Sequence, residues 1–463
     1  MDRTASGTYS RLAWALSLIL EAPRQARLPF RPISAIEIDQ RRRLADAVSH
    51  AYRHVSYYRE SMARLGVAPG DIASAADLAR LPLLERAVVQ QDPRRFVSER
   101  KPLASYVPLG TGGSTGEPLT VYHDPFSLIQ AAAHHQRAGS LHRRMVRRRL
   151  GFRMLVIGHQ PNETRRPVEK TLAWVRKLAG GEVRRASILE PVEHALEVID
   201  SFHPHVVFSH GSYLEAIFVH LRRSGRQSHL PRLVLYGGDA MSTSARTLIS
   251  DEFGIPVLSM YGAYEALSLG FECDAHLGLH LNADLYPVRI VDDAGRELPD
   301  GESGEVVISN LVNRGTMLLN YRLGDLARKL PARCPCGRSL PLLSFLEGRA
   351  PGDWLLNRSG QRLHPSSVTD VMEVDRDIFR YQVRQEALTR LAIDVVARPQ
   401  SDLAALRSRV KRGFASLLDP GVAVDVNFVD DLPRTARGKV RTVVGLVEGE
   451  AVESSSGVLA SDR

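Results

Sequence analysis

Gly110-Thr111-Gly112-Gly113-Ser114-Thr115-Gly116-Glu117-Pro118 sets four glycines and three hydroxyl residues within nine positions. Glycine lets backbone N–H groups come close to an anion and takes dihedrals that other residues resist. Successive N–H groups then form a cup for phosphate oxygens, to which the hydroxyls add donors. The composition points to the phosphate chain of a nucleotide. Three other readings compete. A plain Gly-rich turn uses the same residues. A Walker A loop needs Lys and then Ser or Thr after its last glycine, whereas Gly116 is followed by Glu117 and Pro118. Gly112 to Gly116 also fits G-x-S-x-G, with Ser114 as a nucleophile, but such an elbow runs straight into a helix. Pro118 and the extended Leu119-Thr120-Val121-Tyr122 argue against a helix there, because proline restricts its predecessor to extended conformations.

The chain around this loop has 463 residues, long enough for one large domain and a smaller one. With 44% apolar and 24% charged residues it reads as a soluble globular protein. Three cysteines are too few for a disulfide framework, so a reducing, cytoplasmic setting is expected. The apolar stretch Leu12 to Leu20 is too short to span a bilayer, and no cleavage pattern follows it before Glu21 and Pro23. The net charge of +9 suits anionic small molecules, nucleic acid, or no particular partner. Its densest run is Arg143-Arg144-Met145-Val146-Arg147-Arg148-Arg149, with Arg153 beyond. That run has no aromatic interleaving and no zinc-finger or RNA-recognition motif beside it. It reads as a solvated basic face, with a contact to ATP or coenzyme A phosphates as the alternative and nucleic acid last.

Residues 1–100 read as mostly helical. Ile36 to Val55 carries apolar residues at helical spacing, and Ser74 to Leu81 reads as a short helix with Ser74 as N-cap and Pro82 as stop. No chemistry is evident there. From about 127 to 310 short apolar runs alternate with helical patterns. Met154–Ile157, Val206–Phe208, Leu233–Tyr236 and Val257–Met260 end in Gly158, in Ser209-His210-Gly211-Ser212, in Gly237-Gly238-Asp239 and in Tyr261-Gly262. Tyr213 to Arg223 and Thr243 to Phe253 are the helices between and after them. The alternation predicts a parallel α/β sheet, with ligands at the strand C-termini. Pro287–Val291, the turn Asp292–Gly295 and Gly304–Ser309 then read as β-hairpin structure. Residues 354–440 read as a small α+β unit, and the tail after Glu448 as disordered.

Four further motifs follow the glycine loop: Tyr261-Gly262-Ala263-Tyr264-Glu265, Tyr321-Arg322-Leu323-Gly324-Asp325, Gly348-Arg349, and Pro433-Arg434-Thr435-Ala436-Arg437-Gly438-Lys439. Their order and spacing resemble the core motifs of the adenylate-forming superfamily: acyl-CoA synthetases, peptide-synthetase adenylation domains and luciferases. The resemblance covers nearly the whole chain. His54-Val55-Ser56-Tyr57-Tyr58-Arg59 and Cys334-Pro335-Cys336-Gly337-Arg338 look like the phenylacetate–CoA ligase branch. It implies an α/β fold: a large N-terminal domain (1–347) with α/β layers and a β-rich subdomain, and a small mobile α+β C-terminal domain (348–448). Residues 449–463 would be a tail. The implied chemistry is attack of a carboxylate on the α-phosphate of ATP, then passage of the acyl group to a thiol or amine.

The resemblance also implies residue roles. Thr111, Gly112, Gly113, Ser114, Thr115 and Gly116 would hold the β- and γ-phosphates. Asp325 would accept both ribose hydroxyls, for which a carboxylate has the geometry. Arg349 would reach ribose or phosphate, and Glu265 would hold Mg²⁺, which favours a few hard oxygen ligands. Gly237, Gly238 and Asp239 would wrap the adenine, with Tyr261 stacking on it and Gly262 beside it. Lys439 would be the catalytic cation, where electrostatic stabilisation is a large term. Asp353 lies near the expected hinge. Taken singly, Asp325 reads as a solvated loop aspartate, Arg349 as a surface ion pair, Glu265 as a helix-start carboxylate and Lys439 as one of 61 basic residues. Two departures bear on rate and substrate: Glu117 stands where many members carry Lys, and Tyr264 replaces the usual Thr or Ser before the glutamate.

The leading function is ligation of an aryl or arylalkyl carboxylic acid to coenzyme A. Transfer to an amine or a carrier-protein thiol, and a non-catalytic nucleotide-binding homologue, stay open, as does a homodimer. His203, His205, His210 and Tyr213 are expected around one strand end near the acyl pocket, with a structural role for strand-end histidines as the alternative. Finally, Cys273, His280, Cys334 and Cys336 form a set of three sulfurs and one imidazole suited to tetrahedral, structural Zn²⁺. His276 rivals His280, and the alternative is three buried free thiols.

Overall fold

This computed structural model describes residues 4–110, 119–148, 151–158, 170, 173–174, 177, 180–349, 354–359, 362–363, 365–373, 375, 377–433 and 440–446. Thr111–Pro118, Asp353, Arg434–Lys439 and the tail lie outside them.

The N-terminal segment is helical, as expected. Thr4–Arg27 is a helix that contains the apolar stretch Leu12 to Leu20, Ile33–His54 is the long charged helix, and Ser56–Leu65 follows it. The expected helix from Ser74 is instead a 3₁₀ turn, Ala76–Arg80. Ser74 does not cap it. The Asp77 carboxylate reaches back and accepts the Ala73 and Ser74 N–H groups and the Ser74 hydroxyl, so the capping runs the other way. No helix among the described residues is long and apolar enough to cross a membrane.

Strands β1 (Val107–Gly110) and β2 (Thr120–His123) pair antiparallel, Gly110 opposite Thr120. The parallel strands come next: β3 (Arg153–Gly158), β4 (Glu182–Ser187), β5 (Val206–Ser209), β6 (Leu233–Tyr236) and β7 (Val257–Tyr261). After them run β8 (Gly270–Glu272), β9 (Leu279–Leu281), β10 (Val288–Val291), β11 (Gly304–Ile308), β12 (Tyr321–Ala327), β13 (Lys329–Leu330), β14 (Leu342–Leu343) and β15 (Gly348–Arg349). The last part holds β16 (Leu355–Leu356), β17 (Arg362–Leu363), β18 (Ile378–Ala387), β19 (Arg390–Ala397), β20 (Ala423–Phe428) and β21 (Val443–Val444).

Among the described residues the largest sheet has the order β13-β14-β9-β8-β7-β6-β5-β3-β4. Pairing is parallel from β4 to β7 and antiparallel beyond β7. The inner strand β6 is buried at every position, the continuous apolar run of a sheet covered on both faces. β4, Glu182-Val183-Arg184-Arg185-Ala186-Ser187, escapes an apolar-run search because it is the edge, where charged side chains guard unpaired backbone. A second sheet, β10-β11-β12-β15, is antiparallel and contains the expected hairpin region.

Among the described residues, three of the apolar cores position these layers. One packs the helices Val192–Phe202 and Gly211–Ser224 onto the large sheet. A second lies against β10 to β12, around Tyr286, Ile290, Val306 and Tyr321. A third is built from residues 355–443 alone, with Leu355, Met372, Ile393 and Phe414 at its centre. The sheet β20-β19-β18-β21 and the helices Pro365–Met372 and Leu403–Leu417 surround this third core.

Candidate functional site

Ser209, Tyr236 and Ser259 sit side by side in the registers of β5, β6 and β7, so the turns after these strands open onto one edge of the sheet. After β6 come Gly237, Gly238 and Asp239. A Cβ on Gly237 would lie 2.5 Å from the Met260 carbonyl oxygen, and Gly238 has φ +89°. Only glycines allow the chain to turn this close to β7. Asp239 is held by the Ser212 hydroxyl, which donates to Oδ2 at 2.6 Å. Ser212 belongs to the helix Gly211–Ser224 that follows β5, so the turns after β5 and β6 are tied together here.

Tyr261 ends β7 and donates its hydroxyl to Asp325 Oδ2 at 2.9 Å. Asp325 is only 6% exposed, and in the β12–β15 register it stands opposite Arg349. Three of the sequence motifs therefore meet at one point. Glu265 is 5% exposed, and its backbone carbonyl accepts the Asn310 amide at 2.7 Å. Its carboxylate Oε1 faces the Tyr321 hydroxyl at 3.5 Å and the Arg86 guanidinium at 3.4 Å. Burial, and after it the Glu265 charge, push the Tyr321 hydroxyl up, so it stays protonated beside that carboxylate.

Arg86 is a residue that sequence reading missed, because no motif surrounds it. It opens the short helix Arg86–Gln91 and is placed by backbone. The Leu84 N–H donates to Asn320 O at 2.9 Å, and the Arg322 N–H donates to Leu84 O at 3.0 Å. This strap against the start of β12 sets Arg86 beside Tyr321 and Glu265.

The residues Thr111, Gly112, Gly113, Ser114, Thr115 and Gly116 lie outside the described residues, but their flanks do not. They join β1 to β2, a strand on either side. The nucleophile-elbow alternative for Ser114 requires a strand that runs straight into a helix, whereas the chain after Pro118 enters β2. His123, at the end of β2, donates Nε2–H to the Tyr264 carbonyl at 2.8 Å and so ties this hairpin to the Tyr261–Glu265 motif. Lys439 is also outside the described residues. Its neighbour Val440 packs against the same apolar core as Met241, two residues beyond Asp239.

The expected histidine cluster is split. His210 and Tyr213 lie beyond the C-terminal end of β5, and the Tyr213 hydroxyl donates to Glu190 O at 2.9 Å. His203 and His205 lie at the opposite end. His205 Nδ1 accepts the Arg153 N–H at 2.9 Å, and burial together with Arg148, Arg153 and Arg232 lowers its pKa to about 4. A strand of four residues carries its two ends to opposite edges of the sheet, which proximity in sequence does not reveal.

Cys273, His280, Cys334 and Cys336 come together. Their ligand atoms all lie within 4.8 Å of one another, with Cys273 Sγ 3.5 Å from Cys334 Sγ and Cys336 Sγ 3.3 Å from His280 Nε2. Metal distances of about 2.3 Å to sulfur and 2.0 Å to nitrogen imply tetrahedral edges of about 3.5–3.8 Å, so the set fits zinc. The antiparallel half of the large sheet assembles it. Cys273 follows β8, His280 is the middle of β9, and the other two lie in the loop between β13 and β14. The Ala275 N–H donates to Cys273 Sγ at 3.4 Å, and His280 Nδ1 faces the Leu340 carbonyl at 3.4 Å, leaving Nε2 as the ligand atom. His276 is not part of the set: it is 49% exposed and bonds the buried Glu272 carboxylate at 2.6 Å.

Comparison with known proteins bears on the family and the fold. A family model described as AMP-binding enzyme matches residues 75–315. The phenylacetate-coenzyme A ligase of Aromatoleum evansii is 26% identical over 440 residues, 88% of this chain and 93% of that one. The enzyme of the same description from Pseudomonas putida is 26% identical over 363 residues, 76% of this chain and 79% of that one. Among solved structures, 2-hydroxyisobutyryl-CoA ligase in its postadenylation state matches with a TM-score of 0.74 at 17% identity, over 94% of both chains.

Proposed function

The chain belongs to the AMP-binding enzyme family, and from that premise we propose that it activates an aryl or arylalkyl carboxylic acid with ATP and passes the acyl group to coenzyme A. The observation that carries the reading is the Tyr261–Asp325 hydrogen bond at the end of β7, the strand whose Met260 carbonyl Gly237 packs against, at the C-terminal edge of the parallel strands, where open α/β sheets bind their ligands.

In the first step a substrate carboxylate oxygen attacks the α-phosphorus, the bond to the bridging oxygen breaks, and pyrophosphate leaves. Such a transfer depends on positioning and charge neutralisation. Asp325, fixed by the Tyr261 hydroxyl, accepts the two ribose hydroxyls. Gly237 to Asp239 border the adenine, Tyr261 and Gly262 flank it, and Arg349 reaches the ribose or phosphate. Thr111 to Gly116 cup the β- and γ-phosphates, Lys439 meets the α-phosphate and the attacking oxygen, and Arg86 adds the cation that position 117 lacks. Glu265, a buried carboxylate facing the site, suits Mg²⁺, which would neutralise phosphate charge when bound. In the second step the coenzyme A sulfur attacks the acyl carbonyl and AMP departs. Residues 348–448 form the mobile domain that serves both steps, and Cys273, His280, Cys334 and Cys336 hold a structural zinc ion apart from the chemistry.

The test is a pyrophosphate-exchange screen over a panel of carboxylic acids, followed by acceptor assays. Exchange with aryl acids and consumption of coenzyme A are expected. Protein that binds ATP but exchanges with no acid would refute the ligase reading, and acid-dependent exchange with an amide product would move the acceptor to an amine. A binding measurement separates the nucleotide contacts. Asp325→Ala should weaken ATP and AMP alike, since both carry the ribose. Arg86→Ala should weaken ATP by on the order of tenfold while sparing AMP, like the loss of a charge-assisted hydrogen bond. Equal effects of the two substitutions on both nucleotides would overturn the division of roles.

A further inference from the structure

One arginine of the C-terminal unit is buried against the large sheet's helical layer. Arg380, in β18, has a side chain only 4% exposed. Its Nε lies 2.9 Å from Glu215 Oε2, and its Nη1 donates to Asp431 Oδ1 at 2.6 Å. Glu215 is 6% exposed and belongs to the helix Gly211–Ser224, the helix whose first turn holds Asp239 through Ser212. The Glu215 carboxylate also accepts the backbone N–H of Ser242. Burial pushes Glu215 up, and Arg380 and the Ser242 N–H work against that rise.

The surroundings lock the pair in place. The Ser244 hydroxyl donates to Ile378 O at 3.1 Å and the Ser242 hydroxyl to Phe379 O at 3.4 Å, just before Arg380. Phe379 and Leu432 enter the apolar core under the helices Val192–Phe202 and Gly211–Ser224. Val440 packs against that same core and is the residue after Lys439. One docking geometry thus orders both Arg380 and the chain leading into β21, and it brings the residue next to Lys439 to the core that holds Met241.

We propose that Arg380 is a positioning residue for the first half-reaction: its ion pair with Glu215 sets the register in which the C-terminal unit docks against the helix Gly211–Ser224 and the segment that follows the Gly237–Asp239 turn. The inference rests on the adenylation reading. A buried ion pair contributes little net stability against an apolar substitute, and its best-attested use is to specify register. It also suits an interface that must reopen. When the two surfaces part, both charges regain water, whereas a wholly apolar contact of the same size would resist separation.

The experiment uses the full-length protein with Arg380→Ala, Arg380→Lys and Glu215→Gln. Pyrophosphate exchange reports the first half-reaction, transfer from a supplied acyl-adenylate to coenzyme A reports the second, and hydrogen exchange of the Ser242 amide reports docking. Arg380→Ala should lower exchange on the order of 10²-fold at saturating ATP, as a misplaced catalytic group does. ATP affinity and acyl transfer should hold, and the Ser242 amide should exchange faster. Arg380→Lys should recover most of the loss. If Arg380→Ala fails to fold, Glu215→Gln, which keeps the shape and removes the charge, should show the same split. Equal loss in both half-reactions, or no loss in either, overturns the positioning role while leaving the ligase reading intact. Wild-type protein that exchanges with no acid overturns both together.

Discussion

Lys439→Ala is expected to lose adenylation by a factor on the order of 10²–10³ and still to pass the acyl group from a supplied acyl-adenylate to the acceptor. The reason is where charge accumulates. As the carboxylate oxygen approaches the α-phosphorus, two negatively charged groups are forced together, and a cation at that point stabilises the transition state more than either ground state. No such crowding attends the second step, in which a sulfur meets an acyl carbon and AMP leaves. The lysine sits at the end of Pro433-Arg434-Thr435-Ala436-Arg437-Gly438, and Val440 after it is anchored against the large sheet's core. The loss should therefore fall on kcat for exchange and spare ATP binding. Exchange and transfer rates measured on the same preparation decide it. Parallel loss of both would show that the lysine does not leave the site between steps.

The second large effect concerns the metal. Untagged protein purified without chelator is expected to carry a full complement of zinc, and Cys336→Ser to lose both the metal and thermal stability. The four ligands come from three separate stretches of chain: the end of β8, the middle of β9 and the β13–β14 loop. That loop also anchors the N-terminal segment. The Ser339 N–H donates to Pro29 O at 2.7 Å, and the Arg338 guanidinium lies 5.0 Å from the Phe30 ring centroid and 5.7 Å from that of Phe271. Loss of a metal held there would free a largely buried cysteine and histidine cluster and loosen this anchor together, so a fall in Tm on the order of 10 °C is expected. Metal analysis and thermal unfolding of the two proteins are the measurements. Metal-free wild type that unfolds at the same temperature as the variant would end the idea.

The two sites differ in how far the chain alone reveals them. The parallel strands at Met154, Val206, Leu233 and Val257 are readable because each is a short apolar run closed by a polar turn, a local property of inner strands that is most complete in β6, buried at every position. The order of the five motifs likewise survives as sequence. The cysteines were legible too, but the choice between His276 and His280 was not. Both are histidines within a few residues of Cys273, and only the pairing of His280 with Phe271 on one side and Leu342 on the other puts its ring inside. The same limit hid β4, whose edge position removes the apolar signal.

By itself, the sequence determined the alternation of strands and helices, the phosphate-type loop between two extended segments, and the candidate residues Asp325, Glu265 and Lys439. Only the tertiary structure decided which residues meet. The Tyr261 bond to Asp325, the pairing of Arg86 with Glu265, and the burial of Arg380 against Glu215 join residues 64, 179 and 165 positions apart. The physical reason is that periodicity and turn chemistry act within a few residues, whereas these contacts depend on how whole elements cross. Arg86 is placed by backbone bonds to β12 and Arg380 by the docking of a separate core, and neither constraint leaves a mark on the residues next to it in the chain.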